Sequence, residues 1–292
     1  MLIELGGRTL DATDRCHVMG ILNVATDSPV TDSIVAIGDA PRRAAELRDA
    51  GASIVDVGAQ STRTGAAEIA PDEEIARISP VVESLVAEGH LVSVDTWTAS
   101  VARAAVDAGA HLINDITGAD PDTVQVAVET NTPIAVMHMR GRPQRHRDAT
   151  HEYDDVTLEV REYLGSRAHE IKAAGAPEVW IDPGFQFGRG LDDNLRLLLD
   201  LPNLAQLGHP VLISASRKGF LAEMLGHGEL RSHDAQAKPG MIEATIAFNA
   251  LAAWMGAHVV RVHDVQEVAW ALNVAAAARS IHRAEGAVNS IR

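Results

Sequence analysis

The stretch VWIDPGFQFGRG (179–190) joins a short apolar run to a carboxylate and a glycine-rich loop. Val179, Trp180 and Ile181 predict a buried strand that stops at Asp182, because the Pro and Gly that follow do not continue a sheet. A carboxylate at the end of a buried strand is costly unless it is paired or solvated, so a single case is most simply a turn cap. The same arrangement recurs along the chain, and this recurrence indicates the fold.

Seven further apolar, β-branched runs are separated by segments with helical signals. Together with 179–183 they give eight strand candidates: HVMGILNV (17–24), SIVDVG (53–58), LVSVDT (91–96), HLINDI (111–116), PIAVMHM (133–139), PVLISAS (210–216) and HVVRVHDV (258–265). Strands that are apolar through the middle are typical of parallel sheets buried on both faces. Eight alternations predict an α/β protein with a single (β/α)8 TIM-barrel domain over residues 1–292. An open doubly wound sheet would show a glycine-rich dinucleotide turn after its first strand, and GILNVATDS is not one.

The segments between the strands predict helices, whose starts are marked by caps and prolines. The predicted helices cover about 40–50, 72–88, 98–108, a stretch opening at 120–121, 152–174, 191–201, a short piece at 217–225, 241–255 and 265–284. The polar stretches 140–151 and 226–240 are predicted to be long surface loops of the same domain.

Composition excludes several classes of function. Hydrophobic residues make up 46% of the chain but aromatic residues only 3%, so the core consists mainly of Val, Ile, Leu and Ala. The net charge of −15 argues against nucleic-acid and membrane-surface binding, yet local arginines can still hold an anionic substrate. A single cysteine, Cys16, excludes an internal disulfide and a cysteine-rich metal site. No signal peptide and no run of transmembrane length is evident, so we expect a cytoplasmic protein.

Polar residues stand at the carboxyl end of every predicted strand, where a parallel barrel carries its chemistry. They are Asn23, Asp56, Asp95, Asn114, Asp115, His138, Asp182, Ser216, Arg217, Lys218, Arg261 and His263. Asp95, Asn114 and Asp182, with Lys218 as a counter-charge, suit a flat heterocycle rich in N–H donors. Arg63, Arg261 and His263 suit a phosphate or pyrophosphate.

Other catalytic or metal constellations are not favoured. Neither a Ser-His-Asp arrangement nor a metal-ligand spacing such as HExxH stands out. His138, His146 and His151 border a loop, MRGRPQRHRDATH, that is more simply a solvated basic loop than a metal cluster.

The motifs MGILNV, DVGAQSTR, VSVDT, INDITG, MHM, DPGFQFG, ASRKGF and RVHDV together resemble the dihydropteroate synthase family, along nearly the whole chain. The resemblance implies a transferase of folate biosynthesis that condenses 6-hydroxymethyl-7,8-dihydropterin pyrophosphate with p-aminobenzoate, with Mg²⁺ as cofactor. It also implies a homodimer formed by helices near the C-terminus.

Carried over residue by residue, the resemblance assigns three parts of a site. The pterin pocket is assigned to Asp95, Asn114, Met137, Asp182, Gln186 and Lys218. The pyrophosphate site is assigned to Asn23 (also the Mg²⁺ contact), Thr62, Arg63, Arg261 and His263. The aminobenzoate side is assigned to Phe187, Ser216 and Arg217. Catalytic roles fall to Asp95, Asp182, Lys218 and Arg261, which act by positioning and electrostatics without a protein nucleophile.

The departures from the family pattern are clustered. Where the family usually reads TPDSFSDGG, this chain reads ATDSPVTDS (25–33), and Gln60 and Thr64 replace a glutamate and a proline. Gln186 replaces a glycine and Arg189 a lysine. These changes leave two alternatives open: a catalytically silent pterin-binding paralogue with an accessory or regulatory role, and a pterin transferase that uses a different acceptor.

Overall fold

Eight parallel strands alternate with helices in the computed structural model of the chain. The structure describes residues 1–24, 34–61, 66, 68–141, 143 and 152–289, the last five by their backbone alone. The strands are β1 (Leu2–Leu5), β2 (Arg8–Asp11), β3 (His17–Asn23), β4 (Ile54–Gly58), β5 (Val92–Asp95), β6 (Leu112–Asp115), β7 (Ile134–Met137), β8 (Val179–Asp182), β9 (Leu212–Ile213) and β10 (Val259–Val262).

The helices lie between these strands and cover the outside of the sheet. They are α1 (Ala40–Asp49), α2 (Pro71–Ala87), α3 (Ala99–Asp107), α4 (Pro121–Glu129), α5 (Val156–Ala174), α6 (Leu191–Ala205), α7 (Gly219–Met224), α8 (Ser232–Ala235), α9 (Met241–Met255) and α10 (Val265–Asn289). A 3₁₀ turn, Ile37–Asp39, precedes α1.

The parallel strands form one sheet in the order β8-β7-β6-β5-β4-β3-β10-β9. An isolated parallel bridge between Ile181 and Val211 brings the two ends of this sheet together, so the barrel is nearly closed. His258, just before β10, supports that junction because its Nδ1 accepts a hydrogen bond from the Val211 amide at 2.9 Å. The predicted (β/α)8 barrel is confirmed.

Local sequence explains where the helices begin. Asp120 and Asp155 each accept hydrogen bonds from backbone amides of the first turn of α4 and α5, as N-cap residues do. The predicted helix at 152–174 begins later, at Val156, because Asp155 caps it there. The predicted helix at 191–201 runs on to Ala205 through Pro202. The segment 226–240, predicted as a loop, contains the short helix α8, whereas most of 140–151 lies outside the described residues.

An N-terminal hairpin precedes the barrel and was not among the predicted strands. β1 and β2 pair antiparallel and are joined by Gly6 and Gly7, whose φ angles of +55° and +73° are left-handed. A Gly-Gly pair between two short strands is the sequence signal for such a turn. The buried side chains of Ile3 and Leu5 pack with residues from the amino-terminal halves of the barrel strands, including Trp180. The hairpin therefore closes the amino-terminal end of the barrel.

The inward-facing side chains change character along each strand. Side chains on one face of a strand recur every second residue. Ile54, Leu112, Trp180 and Val259 belong to the apolar cluster at the amino-terminal end. Two residues further along the same four strands stand Asp56, Asn114, Asp182 and Arg261. The period of two thus places these polar groups in one layer inside the carboxyl-terminal end of the barrel.

Outside the barrel, the remaining strand residues pack against the helices in a larger apolar cluster. None of the helices in the described ranges is both long enough and apolar enough to span a membrane.

Candidate functional site

Arg261 links three strands at the carboxyl-terminal end of the barrel. Its Nε lies 2.5 Å from Oδ2 of Asp56 on β4, and its Nη2 lies 2.6 Å from Oδ2 of Asp95 on β5. Asp56 is fully buried and Asp95 nearly so. Burial opposes the charge of Arg261, but the two carboxylates outweigh it and raise the pKa of the guanidinium. Arg261 is therefore a fixed positive charge beneath any ligand in the barrel mouth.

Asp95 presents one of its oxygens to the interior of the site. Within the described part of the chain, Oδ1 of Asp95 is buried and has no hydrogen-bond donor. Burial raises the pKa of Asp95 to about 7, although Arg261 acts in the opposite direction. Asn114, in register with Asp95, is also buried, and its Nδ2 reaches the Asp56 carboxylate only at 3.4 and 3.5 Å. An acceptor and an amide are thus placed side by side for a ligand with N–H donors.

Asp182 is fixed at the end of β8 by the loop that follows it. Its Oδ1 accepts a hydrogen bond from the Gly184 amide at 2.7 Å, and its Oδ2 accepts one from Ser214 Oγ at 2.9 Å. Burial raises the pKa of Asp182 in spite of these bonds. Met137 is paired in register with Asp182 and is buried, which makes it an apolar wall beside the carboxylate.

Lys218 reaches the same region from the N-cap position of α7. Its Nζ donates a hydrogen bond to the Phe185 carbonyl at 2.9 Å and lies 4.2 Å from the centroid of the Phe187 ring. Burial lowers the pKa of Lys218 to about 7, while the nearby Asp182 carboxylate opposes this shift. The ammonium is therefore near its titration point at neutral pH.

Gln186 has both ends of its side-chain amide bonded to protein. Its Oε1 accepts a hydrogen bond from the Gly219 amide at 2.6 Å, and its Nε2 donates one to Ser232 Oγ at 3.1 Å. Its backbone φ is +74°, in the left-handed region. The predicted pterin contact of Gln186 stays a prediction, but the described contacts of its amide are to the first residues of α7 and α8.

Ser216, His263 and Arg217 lie together at the ends of β9 and β10. The Ser216 hydroxyl lies 2.9 Å from Nδ1 of His263 and accepts a hydrogen bond from the His263 amide at 3.1 Å. Arg217 forms an ion pair with Asp264, with its Nε 2.9 Å from Oδ2. These contacts join the predicted aminobenzoate residue Ser216 to the predicted pyrophosphate residue His263, and Arg217 to the residue that follows it.

Of the remaining predicted site residues, the structure describes Asn23 but not Thr62 or Arg63. Asn23 is the last residue of β3 and stands in register with Gly58 of β4. Thr62, Arg63 and the divergent loop 25–33 belong to the ranges that the structure does not describe.

His138 follows β7 directly, at the strand end where the sequence analysis placed it. It is buried, its ring packs edge-on against Tyr163, and its Nδ1 is hydrogen-bonded to the buried Arg189 guanidinium. Burial, helped by Arg189, lowers the pKa of His138 to about 4. His146 and His151 lie outside the described residues. Where the chain is described, no group of three or more His, Cys, Asp or Glu is arranged to hold a metal ion.

Two contributors to the site were not assigned roles from the sequence. Asp56 was noted as a strand-end residue, but its ion pair with Arg261 joins positions far apart in the chain. Ser214, which orients Asp182, follows the two-residue strand β9. Side chains alternate between the two faces of a strand, so the fragments DVG (56–58) and LIS (212–214) place Asp56 and Ser214 inside the barrel. This alternation is the sequence signal that could have identified both residues.

Comparisons with known proteins agree with this geometry. A family model described as "Pterin binding enzyme" matches residues 19–263. Dihydropteroate synthase of Escherichia coli (strain K12) is 37% identical over 282 residues, which cover 94% of this chain and 95% of that protein. The crystal structure of dihydropteroate synthase from Thermus thermophilus in complex with 4-aminobenzoate is 36% identical, with a TM-score of 0.82 and coverage of 95% and 99%. A second structure of that enzyme, in complex with 6HMPPP, is 35% identical, with a TM-score of 0.80 and coverage of 95% and 98%.

Proposed function

The chain belongs to the dihydropteroate synthase family of pterin-binding enzymes, and we propose that it is a transferase of folate biosynthesis. It condenses 6-hydroxymethyl-7,8-dihydropterin pyrophosphate with p-aminobenzoate, giving 7,8-dihydropteroate and pyrophosphate. The observation that carries this proposal is the buried polar layer inside the barrel mouth, in which Asp95, Asn114, Asp182 and Lys218 converge. The full-length similarity to dihydropteroate synthases supports it independently.

The polar layer is suited to a pterin ring. Such a ring carries several N–H donors on one edge, and Asp95 and Asp182 offer buried carboxylate oxygens to them. Asn114 supplies an amide that can both donate and accept, and Met137 supplies an apolar wall. Lys218 supplies a donor to a ring carbonyl or nitrogen.

Electrostatics drives the chemical step in this proposal. The bond between the pterin methylene and the pyrophosphate oxygen ionises, and the leaving anion is stabilised by Arg261 and His263 and, by the family resemblance, by Thr62 and Arg63. The cationic pterin that remains is stabilised by Asp95 and Asp182, whose positions are fixed before the reaction. The arylamine nitrogen then attacks the methylene carbon, forms the new C–N bond and loses one proton to the solvent, so no protein nucleophile is needed.

Asn23 is the residue we propose as a contact for Mg²⁺. Its carboxamide oxygen is a hard ligand of the kind that Mg²⁺ prefers, and it stands at the carboxyl end of β3, the neighbour of the strand β10 that carries Arg261. Oδ2 of Asp56 and Oδ2 of Asp95 are paired with Arg261, so further ligands would come from the pyrophosphate and water. A bound Mg²⁺ would neutralise charge that develops on the leaving pyrophosphate.

The acceptor side is proposed to be formed by Phe187, Ser216 and Arg217. Phe187 offers an aromatic face next to Lys218. Ser216 and Arg217 lie at the start of the segment that leads into α7, on the side of the site toward His263. An aminobenzoate held there would present its amine to the pterin methylene.

We also propose a cytoplasmic homodimer. The two C-terminal helices expose large apolar side chains, among them Trp270 at 60% and Val274 at 71% exposure. A second copy of the chain would cover these groups. The cytoplasmic location is proposed because Cys16, the one cysteine of the sequence, is free and buried, as suits a reducing compartment. Sedimentation of the wild type as a dimer and of Trp270→Arg as a monomer would support this assembly, and a monomeric wild type would refute it.

Turnover tests the proposed function directly. The protein is incubated with the pterin pyrophosphate, p-aminobenzoate and Mg²⁺, and both pyrophosphate and the coupled pteroate are quantified. Equimolar formation of the two at an enzymatic rate supports the synthase. Pterin binding without product would instead identify a silent paralogue, and pyrophosphate release without pteroate would point to a different acceptor.

A further inference from the structure

Gln186 occupies a backbone conformation that its residue type disfavours. Its φ of +74° lies in the left-handed region, where a Cβ meets the following carbonyl and where glycine has no such cost. A non-glycine residue persists in this conformation when surrounding interactions hold it there. The side chain of Gln186 is therefore expected to supply interactions that a glycine could not.

Three hydrogen bonds hold Gln186 in place. Its backbone amide donates to Oδ1 of the fully buried Asn194 at 2.7 Å. Its side-chain oxygen accepts from the Gly219 amide at 2.6 Å, and its side-chain nitrogen donates to Ser232 Oγ at 3.1 Å. The amide thereby ties the loop after β8 to the first residue of α7 and to α8.

Lys218 joins the loop after β8 to the start of α7 a second time. The residues on either side of Gln186 hold the lysine: the Phe185 carbonyl accepts from Nζ at 2.9 Å, and the Phe187 ring centroid lies 4.2 Å from it. In return, Gln186 holds Gly219, the residue after Lys218. Both the backbone and the head group of Lys218 are thus fixed by one tripeptide, 185–187.

The space around Gly219 shows how closely these segments approach. A Cβ at Gly219 would lie 1.9 Å from the Leu230 carbonyl oxygen and 3.2 Å from Nε2 of Gln186. Glycine is the residue that permits this approach, since it alone lacks a Cβ. The segment before α8 therefore lies directly on the start of α7, with the Gln186 amide beside the contact.

We propose that Gln186 is a positioning residue of the site, whose side-chain amide holds the start of α7 so that the Lys218 ammonium points at the pterin. This inference rests on the proposed function for the identity of the ligand. The placement of Lys218 itself is measurable without any ligand.

Chemical labelling of lysine side chains tests whether Gln186 holds Lys218 in place. The sequence contains three lysines, Lys172, Lys218 and Lys238, so acetylation at each can be followed by mass spectrometry of proteolytic peptides. Brief acetylation across pH 6–10 should give a midpoint near 7 for Lys218 in the wild type. In Gln186→Met, which removes both side-chain hydrogen bonds but keeps the length, water gains access to the ammonium, and the midpoint should rise by about one pH unit or more. Lys172 and Lys238 serve as internal references.

A second variant and a matched control complete the experiment. Gln186→Gly removes the same bonds and also relieves the left-handed conformation, so it should fold even if the methionine variant does not. Gln125→Met makes the same exchange on the exposed face of α4 and should leave Lys218 labelling unchanged. An unchanged Lys218 midpoint in a folded Gln186 variant would overturn the proposal.

Ligand binding separates this inference from the proposed function. Calorimetry with 6-hydroxymethylpterin should show about tenfold weaker binding for the Gln186 variants than for the wild type, as expected when one charge-assisted contact is misplaced. In turnover, the KM for the pterin substrate should rise while that for p-aminobenzoate stays near the wild-type value. A wild type that binds no pterin would refute the proposed function, whereas equal binding by wild type and variants would refute the positioning role alone.

Discussion

Replacing Arg261 by methionine removes the only charge that the described structure places between Asp56 and Asp95. The two carboxylates are 0% and 8% exposed, so water cannot solvate them in its place. Breaking a buried ion pair by removing one partner costs about 3–5 kcal/mol. We therefore expect Arg261→Met to lower the free energy of unfolding by about that amount at pH 8.

The stability lost on replacing Arg261 by methionine should be smaller at pH 6 than at pH 8. Arg261 now lowers the pKa of Asp95, and burial holds it at about 7; without Arg261 the pKa rises further above its ordinary value of 3.8. A carboxyl group with a raised folded-state pKa stabilises the protein below its unfolded pKa and loses this contribution as pH rises through the folded pKa. Each pH unit in that interval is worth about 1.4 kcal/mol, so the variant should gain about 2–3 kcal/mol of stability between pH 8 and pH 6. The wild type, in which the pKa of Asp95 is about 7, should gain about 1.4 kcal/mol over the same interval, so the loss caused by Arg261→Met should shrink by about 1 kcal/mol.

Urea unfolding at pH 8 and pH 6, followed by tryptophan fluorescence, measures both effects. Arg103→Met is a matched control, because its ion pair with Glu129 joins α3 to α4 outside the barrel and the two side chains are 34% and 48% exposed. That variant should lose about 1 kcal/mol or less, equally at both pH values. A loss below about 1 kcal/mol for Arg261→Met at pH 8, or one that does not change with pH, would show that Arg261 does not neutralise the two buried carboxylates.

Three further predictions follow from described contacts. Asp182→Asn should weaken 6-hydroxymethylpterin binding about 10- to 100-fold in calorimetry, because a charge-assisted hydrogen bond is lost; unchanged affinity would remove Asp182 from the pocket. The pKa of His258 is lowered from 6.5 to about 4, chiefly by burial, so its stabilising contribution is complete above pH 6.5 and is lost as pH falls toward 4. The stability advantage of wild type over His258→Gln in urea unfolding should therefore shrink by about 2 kcal/mol from pH 7.5 to pH 5, and a constant difference would contradict this. Gly6→Ala should cost about 2–3 kcal/mol, since its Cβ would lie 2.2 Å from the His111 ring, whereas Gly7→Ala, with nothing within 4 Å, should cost about 1 kcal/mol; equal losses in thermal unfolding would show that the hairpin does not pack there.

The barrel was predictable because each of its strands carries its own signal. Eight apolar runs with intervening helix caps specify the repeated unit, and the closed arrangement follows from their number. The hairpin at 2–11 was missed although Gly6-Gly7 is a turn signal, since its strands are largely exposed and lack the continuous apolar run that marks the barrel strands. β9 is shorter than the predicted PVLISAS run, with only Leu212–Ile213 in the ladder, because the sheet is completed by an isolated bridge and not by a full strand pair.

The residue types of the site were predictable, but their partners were not. Period-two alternation places Asp95, Asn114 and Asp182 inside the barrel, as the structure shows. The choice of Asp56 and Asp95 as partners for Arg261 depends on the distance across the barrel, which sequence spacing does not contain.

At the positions that depart from the family pattern, the partners of the side chains were likewise not predictable from the sequence. Arg189 is buried against His138, and its loop residues alone gave no sign of that. Gln186 has both ends of its amide bonded to the first residues of α7 and α8, because tertiary contacts bring these helices beside it. The changed positions within 25–33 and Thr64 lie in ranges that the structure does not describe, so their expected effects on the acceptor side stay predictions.

A crystal structure of the protein with the pterin pyrophosphate bound, in the absence of p-aminobenzoate, would show whether the polar layer of the barrel mouth holds the pterin. We expect the pterin ring to lie within hydrogen-bonding distance of Asp95 Oδ1 and of the Asp182 carboxylate, with Lys218 at its edge and the pyrophosphate against Arg261. A ligand bound elsewhere on the protein, with the polar layer of the barrel mouth unchanged and solvated, would contradict this expectation.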